Sequence, residues 1–246
     1  MTTSVNQHLG YHTDDGPVKA SQGIYEISST AKAVLGTRVR VGDRVFHYAY
    51  AGGVALAAGV LLEPATAVVA EEGKSPSATV AQYATTLTLE TAAAQSNAAG
   101  GYIFTHETTG EGYAYKIKKA TANASTATYT DLVLYDPIRV ALTTSSEVAI
   151  MNSPYYDLDI HTTTEENFAV GVAPTAVTAN YYFWCQTWGP APVLQTGSDA
   201  AGSIMTPAGT AGGITTQVGF TYNIVGVQLY AGTSTEYQPV YLRIAP

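Results

Sequence analysis

In the stretch Arg38-Val39-Arg40-Val41-Gly42-Asp43-Arg44-Val45-Phe46-His47-Tyr48-Ala49-Tyr50, alternation of side-chain character runs for four residues, stops at Gly-Asp and resumes. Period two is the spacing of a strand, whose successive side chains point to opposite faces. Two such runs joined by Gly-X predict a hairpin with a type II′ turn, because glycine accepts the positive φ required at the first turn position.

The same period governs most of the chain. Tyr113, Tyr115 and Ile117 fall on one face of a strand and Lys116 and Lys118 on the other, and Thr128 to Tyr135 continues as a β-branched and aromatic run ending at Asp136-Pro137. Further strands are expected at Val148–Met151, Leu158–Ile160, Tyr181–Trp188, Ile224–Tyr230 and Val240–Ile244, each bounded by Gly, Pro, Asn or Ser-Thr clusters. Only Pro76 to Ala99 offers a helical reading, and its threonines at 85, 86, 88 and 91 keep any helix short. The fold class is therefore mainly β: a sandwich or barrel core, a second smaller β lobe and an extended N-terminal arm.

Composition places the boundaries. Residues 1–22 lack a strand period and form the arm; 23–64 begin the β core; 65–150, rich in Ala, Thr and Ser, form a lobe inserted into or following it; 151–246 complete the core. Within the last segment, 195–217 reads as a long loop because of Gly197, Gly202, Pro207, Gly209, Gly212 and Gly213. No internal repeat is visible.

The 246 residues are 46% hydrophobic and 10% aromatic but only 12% charged, with Lys+Arg 11 against Asp+Glu 19 and a formal net charge of −8. A charged fraction of about 25% is usual for a globular domain, so much of this surface is expected to be covered by something other than solvated charge. Eighteen tyrosines supply enough apolar area to exclude disorder. The shortage of basic residues argues against nucleic acid as a partner. The longest uncharged apolar stretch, Tyr48 to Leu62, contains three glycines and falls short of the ~20 residues of a membrane-spanning helix. Met1 to Gly16 shows no secretory signal, so synthesis in a cytoplasm is expected.

Catalytic signatures are missing: there is no Walker loop, Gly-x-Ser-x-Gly elbow, His-Glu-x-x-His or Cys-x-x-Cys. Gly209-Thr210-Ala211-Gly212-Gly213 lacks the strand and helix of a phosphate cradle and reads as loop. Cys185, the single cysteine, reads as a buried small apolar residue. The constellation to weigh is Asp157-Leu158-Asp159-Ile160-His161, where alternation puts Asp157, Asp159 and His161 on one face. Two carboxylates and an imidazole suit a divalent cation, but a solvated outer strand face is the commoner arrangement.

Glu71-Glu72 and Glu165-Glu166 adjoin turns and read as surface charge; His8, His12, His47, His106 and His161 lack metal spacing, His8 and His12 excepted as a weak hint. Asn123-Ala124-Ser125 has the form of a glycosylation sequon, relevant only in a eukaryotic secretory route. No catalytic, cofactor-binding or metal residue is assigned, and no cofactor is expected. Tyrosine suits interfaces, although Tyr182, Trp184 and Trp188 fit a core face, with Phe183 and Cys185 making the opposite face apolar too.

Several runs resemble the head-decoration, or capsid-cement, proteins of tailed bacteriophages. They are Leu35-Gly36-Thr37-Arg38-Val39, Gly42-Asp43-Arg44-Val45-Phe46-His47-Tyr48-Ala49, Ala51-Gly52-Gly53 and Leu56-Ala57-Ala58-Gly59. Gly110-Glu111-Gly112-Tyr113 with Tyr115-Lys116-Ile117, and Leu134-Tyr135-Asp136-Pro137-Ile138-Arg139-Val140-Ala141-Leu142, are similar to the same group. So are Val170-Gly171-Val172-Ala173 and the stretch from Tyr181-Tyr182-Phe183-Trp184 to Gln186-Thr187-Trp188-Gly189-Pro190.

The resemblance spans roughly residues 35–245, and its motifs are structural. It implies a β-rich, self-associating virion protein, a homotrimer, bound to the major capsid protein outside an icosahedral head and between capsomers, with no catalytic residues to carry over. Tyr156 to Asn167 and Ile214 to Gln217 depart from the pattern. The arm is expected to order on the capsid or on a neighbouring subunit. The alternative expectation is a receptor- or carbohydrate-binding virion module, a fibre or head-surface adhesin, using Tyr and Trp beside Asp and Asn. An enzyme comes third, since no acid, base and nucleophile set can be assembled.

Overall fold

A computed structural model describes residues 12–13, 22–64, 69–92, 95–123, 128–163, 168–217 and 223–246. Along the chain come β1 (His12–Thr13), β2 (Arg38–Val41), β3 (Arg44–Tyr50) and β4 (Leu61–Pro64). Next are β5 (Val69–Lys74), β6 (Thr86–Glu90), β7 (Tyr102–Glu107), β8 (Ala114–Ala122), β9 (Tyr129–Leu134) and β10 (Glu147–Met151). The rest are β11 (Leu158–Ile160), β12 (Gly171–Val172), β13 (Tyr182–Leu194), β14 (Ile204–Pro207), β15 (Ile214–Thr216), β16 (Gly226–Gln228) and β17 (Tyr237–Arg243). A single 3-10 turn at Ser96–Ala98 interrupts the strands, and no α-helix occurs among the described residues. The fold is mainly β and divides into two units, Met1–Thr66 with Tyr155–Pro246, and Ala67–Pro154, so the second is inserted in the first.

The first unit is organised on β13. Its N-terminal half pairs with β3 from Tyr182↔Tyr50 to Trp188↔Val45, and its C-terminal half pairs with β17 from Trp188↔Arg243 to Leu194↔Tyr237. A register shift between Gln186 and Trp188 marks the handover. β2 extends the sheet beyond β3, while β16, β14 and β15 extend it beyond β17; β12 joins β13 to β4, which carries β11.

Both faces of β13 are covered in its first half. Phe183 and Cys185 pack with Ala49, Leu56, Leu62 and Leu158, whereas Trp184, 2% exposed, packs with Ile24, Val39, Phe46 and Tyr48. Farther on, Ala191 and Val193 enter a third cluster with Met205, Ile214, Val240 and Leu242. Trp188, expected on the Tyr182–Trp184 row, lies beyond the register shift and is half-buried edge-on to Tyr241.

The β2–β3 hairpin has the expected two-residue turn: Val41 pairs with Arg44, and φ is +64° at Gly42 but not positive at Asp43, as type II′ requires. The segment 195–217 is not loop throughout. It carries β14 and β15, paired from Met205↔Thr216 to Pro207↔Ile214, with Met205 and Ile214 fully buried. Strands of three or four residues rich in Thr and Pro have too short a period to stand out beside six loop-forming residues, and only their pairing stabilises them.

The second unit is a six-stranded sheet in the order β5-β10-β7-β8-β9-β6. Its ends meet: Pro76 bridges Leu89, the Ser77 N–H donates to the Thr88 carbonyl at 3.0 Å, and the Glu90 N–H donates to the Ser75 carbonyl at 2.9 Å. The residues directly after β5 thereby pair with β6 and curl the sheet into a small barrel, which covers part of its free edges. Leu89, Ile103, Ile117, Leu132, Leu142, Val148 and Ile150 fill it. Tyr115 and Ile117 point inward as expected; Tyr113, one residue before β8, is exposed.

Where β12 meets β13, a side chain has no room. A Cβ on Gly171 would lie 2.4 Å from the Cys185 Sγ and 2.7 Å from the Gln186 carbonyl oxygen, whereas one on Gly53 would meet nothing within 4 Å. Gly171→Ala is therefore expected to lower stability by about 1–3 kcal/mol through overpacking. Denaturant unfolding should find Gly53→Ala within about 0.5 kcal/mol of the parent protein.

Candidate functional site

Asp157, Asp159 and His161 do not share a face. Asp157 has φ +57° and precedes β11, so strand alternation does not reach it. Asp159 is half-buried opposite Glu63 and accepts the Ile160 N–H at 2.7 Å.

His161 follows the last residue of β11 and is 0% exposed, the reverse of a solvated outer position. Its N–H donates to the Leu61 carbonyl at 2.9 Å and its own carbonyl accepts from Gly212 at 2.8 Å. Its ring Nδ1 lies 3.0 Å from the Thr162 carbonyl and Nε2 3.5 Å from a Glu63 carboxylate oxygen. The other Glu63 oxygen accepts the Thr162 N–H at 3.1 Å. A carbonyl can only accept, so Nδ1 carries a proton there. The histidine is a buried tie between β4, the end of β11 and the Gly212 turn.

Among the described residues, one His/Asp/Glu trio has ligand atoms within 4.8 Å of one another: His106, Glu107 and Glu147. Glu107 and Glu147 are register partners where β7 and β10 begin to part, at a register shift. His106 and Glu107 are exposed and Glu147 half-buried, so the trio is solvated surface charge.

The other groups singled out in the sequence have structural partners. Glu71 accepts from the Ala92 N–H at 3.1 Å and the Gln95 amide at 3.2 Å and pairs with Lys74 at 2.9 Å, an arrangement that ties β5 to the turn after β6. His47 stacks on Tyr155 with centroids 4.6 Å apart, its Nδ1 3.1 Å from the Thr187 hydroxyl. Cys185 is fully buried, and desolvation pushes its thiol far above the ordinary range, only partly opposed by a backbone contact at Val172. Glu165, Glu166, His8, the His12 side chain and Ala124-Ser125 lie outside the described residues, as does most of the arm.

Aromatic residues divide into two populations. Tyr48 and Trp184 are buried under residues 22–35 by polar contacts the sequence does not advertise. The Tyr48 hydroxyl donates to the Gln22 amide oxygen at 2.8 Å and accepts the Lys32 N–H at 2.9 Å, while the Trp184 indole N–H donates to the Gln22 carbonyl at 2.9 Å. The Gln22 amide in turn donates to the Tyr182 and Glu26 carbonyls. At the end of this face Tyr50, Tyr156 and Tyr182 pack on one another, Tyr50 lying 5.6 Å from Tyr156 and 4.8 Å from Tyr182. Burial first, then neighbouring oxygens, raises the Tyr156 and Tyr182 phenols above their ordinary range.

The second population is exposed. Tyr25, Phe168, Ile224, Leu229, Tyr230 and Tyr237 in the first unit stand half or nearly half free or more, Phe168 at 53% and Tyr230 at 66%. In the second unit Tyr83, Tyr113 and Tyr135 do likewise, and Phe104 is 36% exposed. Exposed rings and aliphatic side chains of this kind suit association.

A shallow cleft in the second unit is lined by Ser77–Ala81, Ala84, Thr86–Thr88 and Asp131–Val133. Its one carboxylate, Asp131, accepts the Thr88 hydroxyl at 2.6 Å and the Asn123 amide at 3.0 Å. First the Thr88 bond and then the Asn123 bond hold its carboxyl below the ordinary range, which suits an anchor and not a general acid.

These geometries set two expectations. Cys185 should resist alkylation in the native protein and react on unfolding; rapid labelling of native protein would contradict the packing of β13. The Asp131 contribution to stability is present above the unfolded carboxyl value and is lost as pH falls through the lower folded one. In Thr88→Ala the Asp131 carboxyl resonance should therefore titrate at higher pH than in the parent. Comparison with protein-family models, with curated proteins and with solved structures finds no match for this chain.

Proposed function

We propose that the protein is a non-enzymatic virion component that binds the outer surface of a phage capsid and decorates or cements the major capsid protein lattice, as a self-associating homotrimer. The observation that carries the reading is the pairing of a 12% charged fraction with the exposed large apolar side chains of the first unit, Phe168 and Tyr230 among them. Contiguous exposed apolar surface marks sites of association. The runs between residues 35 and 245 that resemble head-decoration proteins support the same reading. So does the first unit, whose buried His161, Glu63 and Cys185 are taken up by packing and hydrogen bonds. The net charge of −8 keeps the free protein soluble before assembly.

Light scattering on the purified protein should give a trimer mass, and titration onto heads lacking the protein should saturate at hundreds of copies on the head. Phe168→Asp with Tyr230→Asp should weaken one or both associations by about tenfold, roughly 1.4 kcal/mol, without lowering the melting temperature. Removal of residues 1–21 of the arm, which spares the Gln22 tie, should weaken head binding without lowering the melting temperature. A stable monomer that does not bind heads, or a few copies confined to the tail, overturns the proposal.

A further inference from the structure

The outer face of the inserted barrel carries a feature that decoration alone does not require. On β8 the burial order of Ile117, Lys118, Lys119 and Ala120 is buried, exposed, exposed, buried, because the register against β9 shifts between Ile117 and Lys119. A bulge of this kind inserts one residue and redirects its side chain. Without it, strict alternation would turn Lys119 toward the core. With it, Lys116, Lys118 and Lys119 all stand on the outer face, three of the 11 basic residues of the chain.

Aromatic rings flank these cations. Tyr102 on β7 is the register partner of Lys116, whose ammonium lies 5.9 Å from the Tyr102 ring centroid; Tyr135, just after β9, lies 5.9 Å from the Lys118 ammonium. Phe104 continues the row, 6.1 Å from Tyr102, and Tyr135 is 46% exposed. Strands are spaced about 4.8 Å apart, so rings on β7 and at the end of β9 stand about 10 Å from each other with β8 and its lysines between. Among the described residues none of the three ammonium groups has a carboxylate partner, and the Tyr102 and Tyr135 hydroxyls have no hydrogen-bond partner. Asp131, the nearby carboxylate on β9, is engaged by Thr88 and Asn123.

We propose that this face, Tyr102, Phe104 and Tyr135 around Lys116, Lys118 and Lys119, binds an anionic polysaccharide. Flat rings spaced along a sheet offer stacking surfaces to the C–H faces of successive sugars, the phenol hydroxyls bond sugar hydroxyls, and the ammonium groups pair with uronic carboxylates. The charge pattern selects this partner over two others. A nucleic acid needs many phosphate contacts, and three lysines on a chain of net charge −8 supply few. A protein partner is disfavoured because lysine is depleted from protein interfaces.

The test uses the full-length protein with polygalacturonate as probe, and with dextran and single-stranded oligothymidylate as comparisons. Polygalacturonate should bind in preference to both, and about 1 M salt, where the Debye length falls to about 3 Å, should weaken it strongly. Lys118→Glu with Lys119→Glu should reduce binding at least tenfold, and Lys118→Gln with Lys119→Gln by less, with unchanged melting temperature. Tyr135→Ala should weaken binding while leaving the salt dependence in place. Equal binding to dextran, tighter binding to oligothymidylate, or affinity indifferent to these substitutions overturns the proposal. A change of oligomeric mass in the lysine variants without polysaccharide also overturns it, because the face would then be occupied by a second copy.

Discussion

The two-sided burial of β13 is the constraint on which the first unit depends. A strand that buries Phe183 and Cys185 on one face and Trp184 on the other needs partners along both edges and a cover on each side. β3 and β17 supply edges in succession, and the register shift before Trp188 lets one 13-residue strand serve two neighbours. The cover above Trp184 comes from residues 22–35, held by Gln22, which answers the indole N–H and the Tyr48 hydroxyl at once. A buried indole or phenol without such an acceptor costs about 1–3 kcal/mol, so one glutamine secures both the polar ends and the apolar lid.

The inserted unit meets a different constraint. A short antiparallel sheet exposes unpaired edges that invite association, and the contact of residues 75–77 with Thr88–Glu90 of β6 covers part of them. Along that stretch edge pairing is withdrawn, which leaves this unit's outward side chains as the surface a partner would meet. Its outward residues fit that role: tyrosine and phenylalanine rings interleaved with lysines, over a core of Leu, Ile and Val. The bulge at Lys118–Lys119 sharpens the local pattern at the expense of one regular ladder position.

The ionisable groups illustrate why residue type alone does not define a site. His161 and Glu63 have the chemistry of a metal or acid–base pair, yet their hydrogen bonds to Thr162, together with backbone bonds linking His161 to Leu61 and Gly212, make them a tie between chain segments. Cys185 has a nucleophile's atom but lies fully buried, where the thiol form is favoured. Asp131 has a carboxylate in a cleft, but its two donors hold it ionised. Burial holds Cys185, hydrogen bonds hold Asp131, and both hold His161 and Glu63, converting reactive chemistry into structure.

By itself the sequence determined the class of fold and most of its strands, because period two is a local property: the 38–50 hairpin, β9, β10 and β11 are written in adjacent residues. It also marked the Ala/Thr/Ser-rich composition of the chain between the Val- and Tyr-dense flanks. Only the tertiary structure decided the rest. β14 and β15 exist because Met205 and Ile214 find a core and each other's backbone, which Gly- and Thr-rich neighbours conceal. Alternation carried past the end of β11 placed His161 in solvent, whereas pairing across β4 buried it. The Gln22 tie joins residues about 160 positions apart, and the outward turn of Lys119 depends on the register of β9 against β8. Each of these rests on a long-range partner, and a local pattern carries no information about a partner it does not contain.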